Sequence, residues 1–435
     1  MSQVITTHEA GKCMKCGFCM SSCPIYTVDH IESHVARGRN VLIKRAGEGS
    51  IPEDEAYAER LSYCLLCGRC ETTCPAKVPS PDITIAARMG MVGKRGLSWR
   101  QRLVYRGILG KPRLMARLLG LASLVPGFSV RSGKPLRHLP DLASALTGGL
   151  SIPKLSRPFL SDRLKSRTNP PEGAKVQGRI AVFPGCASEF FFADAGEQMV
   201  LALADAGFEV VHPKGLTCCG VAVRNAGDLS TAQQMARHNI EILSGFDRIV
   251  TGCATCISAL KDYADWFPGD EHWTRRAGDL SARIRDFSQF LVSESAAPLC
   301  DLGETTRTGG RPQLVEPVTV TYHDPCHLKW HQGISAEPRR LLRSIEGVEF
   351  IEMEGADECC GLGGAFSINH REVSLAIQER KMQSIKKTGA QVVVTSCPGC
   401  MIQLMDGVRR HGLSVEVMHI SQLIRGQKGR PRKPR

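Results

Sequence analysis

Nowhere in its 435 residues does the chain carry an apolar run long enough to cross a bilayer. The longest weakly polar stretch, residues 118–130, is too short and contains Pro126 and Gly127. The start lacks the basic, apolar and small-residue succession of a secretory signal peptide, so a cytoplasmic location is expected. No G-x-G-x-x-G follows a strand-like run. Gly361-Leu362-Gly363-Gly364 comes straight after a cysteine pair and fails that motif, so no nicotinamide or flavin site is expected. Acidic residues are missing from residues 83–140, which hold Arg88, Lys94, Arg95, Arg100, Arg102, Arg106, Lys111, Arg113, Arg117, Arg131, Lys134 and Arg137. The basic tail 425–435 lacks interleaved aromatics, so nucleic acid is not an expected partner.

What the chain has in excess is cysteine, 19 residues in all. In a reducing compartment, cysteines at metal-type spacings are ligands rather than disulfides. Eighteen of the 19 fall into four arrays. Cys13, Cys16, Cys19 and Cys23 form C-x2-C-x2-C-x3-C before Pro24; Cys64, Cys67, Cys70 and Cys74 repeat it before Pro75. Two longer arrays follow: Cys186, Cys218, Cys219, Cys253 and Cys256, then Cys326, Cys359, Cys360, Cys397 and Cys400. Cys300 stands alone and is read as a small packing residue.

The doubled C-x2-C-x2-C-x3-C-P is the bacterial two-cluster ferredoxin pattern. Three close cysteines wrap three corners of one cubane, and the fourth is turned towards the other cluster. This assigns Cys13, Cys16, Cys19 and Cys74 to one 4Fe-4S cluster, and Cys64, Cys67, Cys70 and Cys23 to a second. Structural zinc is the competing reading, but it favours two separated pairs, commonly with histidine. The formal charge of +13 counts every thiol as neutral. Four thiolates on a cubane leave roughly −2 per cluster, so a loaded chain is less basic.

The C-terminal part is an internal repeat. Strand-like runs from Arg179, Phe208 and Arg248 precede the first five cysteines, as runs from Val318, Val348 and Val392 precede the second five. Helical stretches ending at Gly207, Gly245, Gly347 and Gly389 lie between them. Apolar strands alternating with helices predict βαβ units and a parallel sheet, with every cysteine group at its carboxyl edge. Ser98 is expected to cap one helix and Pro112 to begin another, with a linker or extended covering arm at 127–178. The expected fold is α+β and multidomain. Residues 1–93 form an α-helical ferredoxin domain with two 4Fe-4S motifs, and 94–178 a basic helical segment and linker. Residues 179–295 are the first α/β repeat, 296–317 a linker, 318–424 the second repeat and 425–435 a basic tail.

An adjacent Cys-Cys pair does not easily reach two corners of an undistorted cubane, and a fifth thiolate exceeds what four irons require. A distorted cluster with a bridging thiolate or an exchangeable ligand, a zinc site using four of five, and a buried redox thiol pair all fit the spacing.

These doubled arrays resemble the CCG domains of the heterodisulfide reductase family, which hold non-cubane 4Fe-4S clusters. The CGFC…CPxY pattern over residues 16–26, Arg37-Gly38-Arg39 with Leu42-Ile43-Lys44, and Cys70-Glu71-Thr72-Thr73-Cys74-Pro75 resemble more narrowly the iron–sulfur subunits of bacterial glycolate oxidases. The similarity covers nearly the full length. Subunits serving D-lactate, other 2-hydroxy acids and glycerol 3-phosphate share the layout. Both repeats here keep all five cysteines, as in the heterodisulfide reductase pattern.

The resemblance implies two 4Fe-4S cubanes and one or two further non-cubane 4Fe-4S clusters. A hydroxy acid gives up a hydride, which calls for an organic cofactor. The resemblance therefore implies a partner FAD-containing 2-hydroxyacid dehydrogenase subunit and a quinone or other acceptor, with this chain relaying electrons and oxidising no substrate alone. It is also compatible with a peripheral position on the inner face of the cell membrane. The alternatives are a heterodisulfide reductase-like thiol–disulfide reductase subunit and a glycerol-3-phosphate dehydrogenase iron–sulfur subunit. His323, His327 and His331 are read as hydrogen-bonding neighbours of Cys326 rather than ligands. Arg37 and Arg39 are read as steering a partner, raising a cluster potential or lying in solvent. No catalytic residue is assigned. The basic segment is read as a docking surface for an acidic flavoprotein or anionic lipid, or as a solvated face.

Overall fold

The computed structural model describes residues 3–122, 150–151, 153–295 and 317–424. Cys300, the basic tail and most of the two linkers lie outside the described residues. The N-terminal part is helical, with Gln3–Gly11, Ala36–Gly47, Glu55–Ser62 and Ser80–Arg95 as its main helices. Ala10, Ile43, Leu61, Val78, Ile83 and Met91 form its core. The short helices Phe18–Ser22 and Arg69–Thr72 each carry the third cysteine of an array.

In the basic segment Ser98 and Gln101 form a reciprocal capping box, which starts the helix Trp99–Arg102. That helix widens into a π-helix over Leu103–Leu109, and a second helix, Pro112–Ala122, follows. Both expected helix starts are therefore present.

Two sheets follow. β1 (Arg167–Thr168), β2 (Gly178–Val182), β3 (Phe208–Val211), β4 (Ile249–Thr251) and β5 (Ile284–Asp286) form the first, in the order β1-β3-β2-β4-β5. β6 (Val318–His323), β7 (Val348–Phe350), β8 (Val392–Thr395) and β9 (Glu416–His419) form the second, in the order β7-β6-β8-β9. Four strands of each repeat are parallel and identically ordered. β8 is buried along its whole length, as a sheet covered on both faces requires.

All six strand-like runs appear as strands. β5 and β9 close each repeat, and β1, inside the stretch read as a covering arm, adds an antiparallel edge. Gly389 ends its helix in the left-handed region, and Gly207 and Gly347 lie just beyond theirs with the same geometry. Gly245 differs: Ser244 caps that helix, and Gly245 is not left-handed.

The repeats share one core, to which Val182, Val250, Phe290, Val320, Val394 and Ile420 all contribute. Ser421 Oγ donates to the Ala195 carbonyl at 2.7 Å across that boundary. Every repeat cysteine group follows a strand's carboxyl end, where open α/β sheets build their sites.

Candidate metal centres

The two N-terminal arrays bend alike. Lys15 and Gly17 in the first, and Leu66 and Gly68 in the second, take left-handed backbone at equivalent positions. Such curled loops turn their side chains towards one point. Cys13, Cys16, Cys19 and Cys74 line one cavity, with Cys70 and Arg37 also on its wall. Cys64, Cys23, Cys70 and Cys67 all lie near enough to Arg39 to favour its charge. The cavity thus brings together the first set of four that the spacing pairs, with Cys70 of the second set beside it.

Arg39 is buried, not a surface cation, and donates to the Tyr63 carbonyl at 2.9 Å. Burial opposes its charge, but neighbouring Cys64, Cys23, Cys70 and Cys67 outweigh that and hold it protonated. Arg37 is half-exposed and pairs with Glu32 at 2.7 Å. Arg88, from the acid-free stretch, is also drawn inward: it donates to the Leu61, Cys64 and Asn225 carbonyls.

The second array docks on the second repeat. Leu65 packs with Cys359, Phe366 and Ile377. Tyr63 is held between His34, at 3.6 Å between ring centroids, and His370, at 3.8 Å. A Cβ on Gly68 would stand 2.7 Å from His331 Nε2, so that position needs glycine for its approach as well as its φ of 78°. Cys67 packs in the same cluster as Leu65 and Cys359, and burial, then Cys359 and Cys326, pushes its thiol well up.

The ten repeat cysteines form one connected series. Cys186, Cys218, Cys219, Cys256 and Cys253 lie in hydrogen-bonding reach in that order, as do Cys397, Cys400, Cys360, Cys359 and Cys326. Cys253 meets Cys397, joining the halves. Thr255 Oγ1 also reaches Cys397 Sγ, at 3.5 Å. Ala254 N–H donates to the Ser396 carbonyl at 3.1 Å; the counterpart of Ala254 is Pro398, which has no N–H. The Gly252 carbonyl instead accepts from His419 Nε2 at 2.7 Å.

Asn239 and Tyr263 clamp the first cysteine pair. Asn239 Nδ2 donates to the Cys218 carbonyl at 3.1 Å, and Tyr263 O–H to the Cys219 carbonyl at 2.9 Å. In the second repeat Ser374 Oγ donates to the Gly361 carbonyl, and buried Lys381 donates to those of Gly355 and Ala356. Sequence reasoning missed these residues. Their signal is polarity on the buried face of a helix, visible only once that face is known.

Hydrogen bonds between neighbouring thiols, then burial, push the Cys256, Cys326 and Cys400 thiols well up. Several thiolates cannot share so dry a space unless a cation compensates them. The donors fit such a group. Gly185 leaves room where a Cβ would stand 2.8 Å from Cys256 Sγ. At the end of β6, His323 is fully buried, and burial holds its ring neutral, its pKa lowered to about 3. His327 Nδ1 lies 3.5 Å from Cys326 Sγ, and its ring stacks on His331.

Comparison with known proteins agrees with this architecture. A 4Fe-4S dicluster domain model matches residues 9–78, and a cysteine-rich domain model, CCG, matches residues 180–261 and 320–405. A probable glycolate oxidase iron–sulfur subunit of Bacillus subtilis is 33% identical, over 96% of this chain and 93% of its own length. One subunit of the fumarate reductase (CoM/CoB) of Methanothermobacter marburgensis is 28% identical, over 96% of this chain and 72% of its own length. Lactate utilization protein A of Oceanobacillus iheyensis is 33% identical, over 57% of this chain and 96% of its own length. With the Bacillus subtilis relative 33% identical and matched over 93% of its own length, the chain belongs to the family of glycolate oxidase iron–sulfur subunits.

Proposed function

We propose that the chain relays electrons from a partner FAD-containing 2-hydroxyacid dehydrogenase subunit, of the glycolate or D-lactate type, to a membrane quinone. The observation that carries this reading is the unbroken succession of cysteine groups. It starts at exposed Cys16, runs through the second array to the second repeat, and crosses from Cys397 to Cys253 into the first. When bound, iron–sulfur clusters supply one-electron redox chemistry. Cys13, Cys16, Cys19 and Cys74 would hold one cubane, and Cys64, Cys67, Cys70 and Cys23 the other. Each five-cysteine group would hold a non-cubane cluster.

The two ends of this line differ. Around Cys16, Met14 and Phe18 are exposed apolar side chains, suited to a docking flavoprotein. The other end lies beside the basic segment. A cleft of about 490 Å³ there is lined by Arg106, Lys111, Thr217, Met235 and His238, and Thr217 directly precedes Cys218. On the same segment Trp99, Leu103, Val104, Leu114, Leu118 and Leu121 are exposed among basic side chains, which suits an anionic membrane surface with quinone entry at this cleft. No described helix is long and apolar enough to cross a membrane.

A thiol–disulfide reductase needs a solvent-reachable centre. Eight of the ten repeat cysteines are buried, which favours the relay. The test is anaerobic purification of the chain with its flavoprotein, followed by iron, sulfide and EPR measurements before and after glycolate or D-lactate. About sixteen irons reduced by substrate only when the flavoprotein is present is the expected result. Zinc without iron, or substrate-independent disulfide cleavage, overturns it.

A further inference from the structure

His323 is fully buried, and neither of its ring nitrogens has a hydrogen-bond partner among the described residues. A buried polar atom left unpaired is destabilising, so a histidine with both nitrogens idle is a costly way to fill space. It is also firmly placed. The next residue, Asp324, is gripped by two Arg339 nitrogens, each at 2.8 Å, which anchors the end of β6. A ring nitrogen of His323 and the sulfurs of Cys360 and Cys400 all lie within 4.8 Å of one another.

The first repeat shows what the position looks like without nitrogen. Three residues before Cys186 stands Phe183, as His323 stands three before Cys326, and Phe183 is equally buried. An aromatic ring fills that space without a polar atom. The histidine therefore adds chemistry, not volume.

We propose that His323 is a nitrogen ligand of the second repeat's metal centre, so that the two repeats hold unlike centres. This rests on the reading above, in which both five-cysteine groups hold iron–sulfur clusters. Imidazole binds iron as a neutral donor where thiolate is anionic, and nitrogen ligation raises an iron–sulfur potential. The second-repeat centre, next to the N-terminal clusters, then accepts electrons more readily than an all-thiolate centre would.

The test uses the full chain, purified anaerobically after growth with 15N-histidine, with iron and sulfide counted and pulsed EPR recorded in both redox states. Nitrogen coupling of directly bound strength is expected. It should disappear in His323→Phe, which copies the first repeat, and survive in His327→Phe. The reciprocal Phe183→His should leave the native coupling in place. About sixteen irons without such coupling, or with only the weak coupling of a hydrogen-bonded ring, overturns the ligand role alone. About eight irons overturns the cluster reading of the repeats, and this inference with it. If His323→Phe fails to fold, the isotope comparison in the unsubstituted chain together with His327→Phe decides the matter, since loss of the coupling in His327→Phe would assign it to that ring and overturn the proposal.

Discussion

Cys253 of the first repeat and Cys397 of the second lie in hydrogen-bonding reach of each other, although 143 positions separate them in sequence. The paired sheets bring them together, since each follows the third strand of its repeat in chain order, β4 or β8. Cys397→Ser is therefore expected to perturb the EPR signals of both repeat centres. Cys326→Ser, at the far end of the second group, is expected to alter only one. Equal and local effects of both substitutions would show that the halves are uncoupled.

Arg39 places a buried positive charge among four cysteines. A unit charge close to a cluster, at an effective dielectric near 20, is worth on the order of 1–4 kcal/mol, or roughly 50–200 mV for one electron. Arg39→Met should lower the potential of one N-terminal cluster by up to about that amount, with Arg39→Lys restoring part of it. Potentiometric EPR reads the shift. Unchanged potentials with full iron content would remove the electrostatic role.

His419 joins the repeats through Gly252, and burial lowers its pKa to about 4. The unfolded chain, with an ordinary histidine, binds the extra proton between about pH 6.5 and 4, so acid favours unfolding. The contribution is complete above about pH 6.5 and declines by on the order of 3 kcal/mol as pH falls to about 4. Anaerobic denaturation of wild type and His419→Gln across that range should show the difference narrowing with acid. A constant difference would exclude His419 as its source.

Trp99, Leu103 and Leu121 are 71%, 57% and 64% exposed on the basic segment. Replacing all three with serine should reduce flotation with anionic lipid vesicles by at least tenfold, leaving iron content and binding to the flavoprotein unchanged. Loss of flavoprotein binding instead would identify this face as a protein interface.

The sequence made the repetitive features readable. Strand-then-cysteine order placed each repeat group at a sheet edge, and Ser98 and Pro112 marked real helix starts. Arg39 and Arg88 were not readable as buried. Their N–H groups donate to the backbone carbonyls of Tyr63, Leu61, Cys64 and Asn225, groups common to all residues and invisible in a side-chain pattern. His323 was read as an ordinary hydrogen-bonding neighbour, because only a fold reveals that a ring has no protein partner. Nor does spacing tell which repeat receives the second array. That choice depends on contacts such as Leu65 with Cys359 and Phe366.

The docking of residues around Gly68 on the second repeat also sets a schedule. A ribosome adding about 5–20 residues per second emits the second array, then needs roughly 15–60 s to complete its landing surface near His331 and Gly363. Throughout that interval Cys67 and Leu65 lack the Cys359, Phe366 and Ile377 partners against which they pack in the finished fold. Until the last repeat is made, nothing from it stands over these two residues.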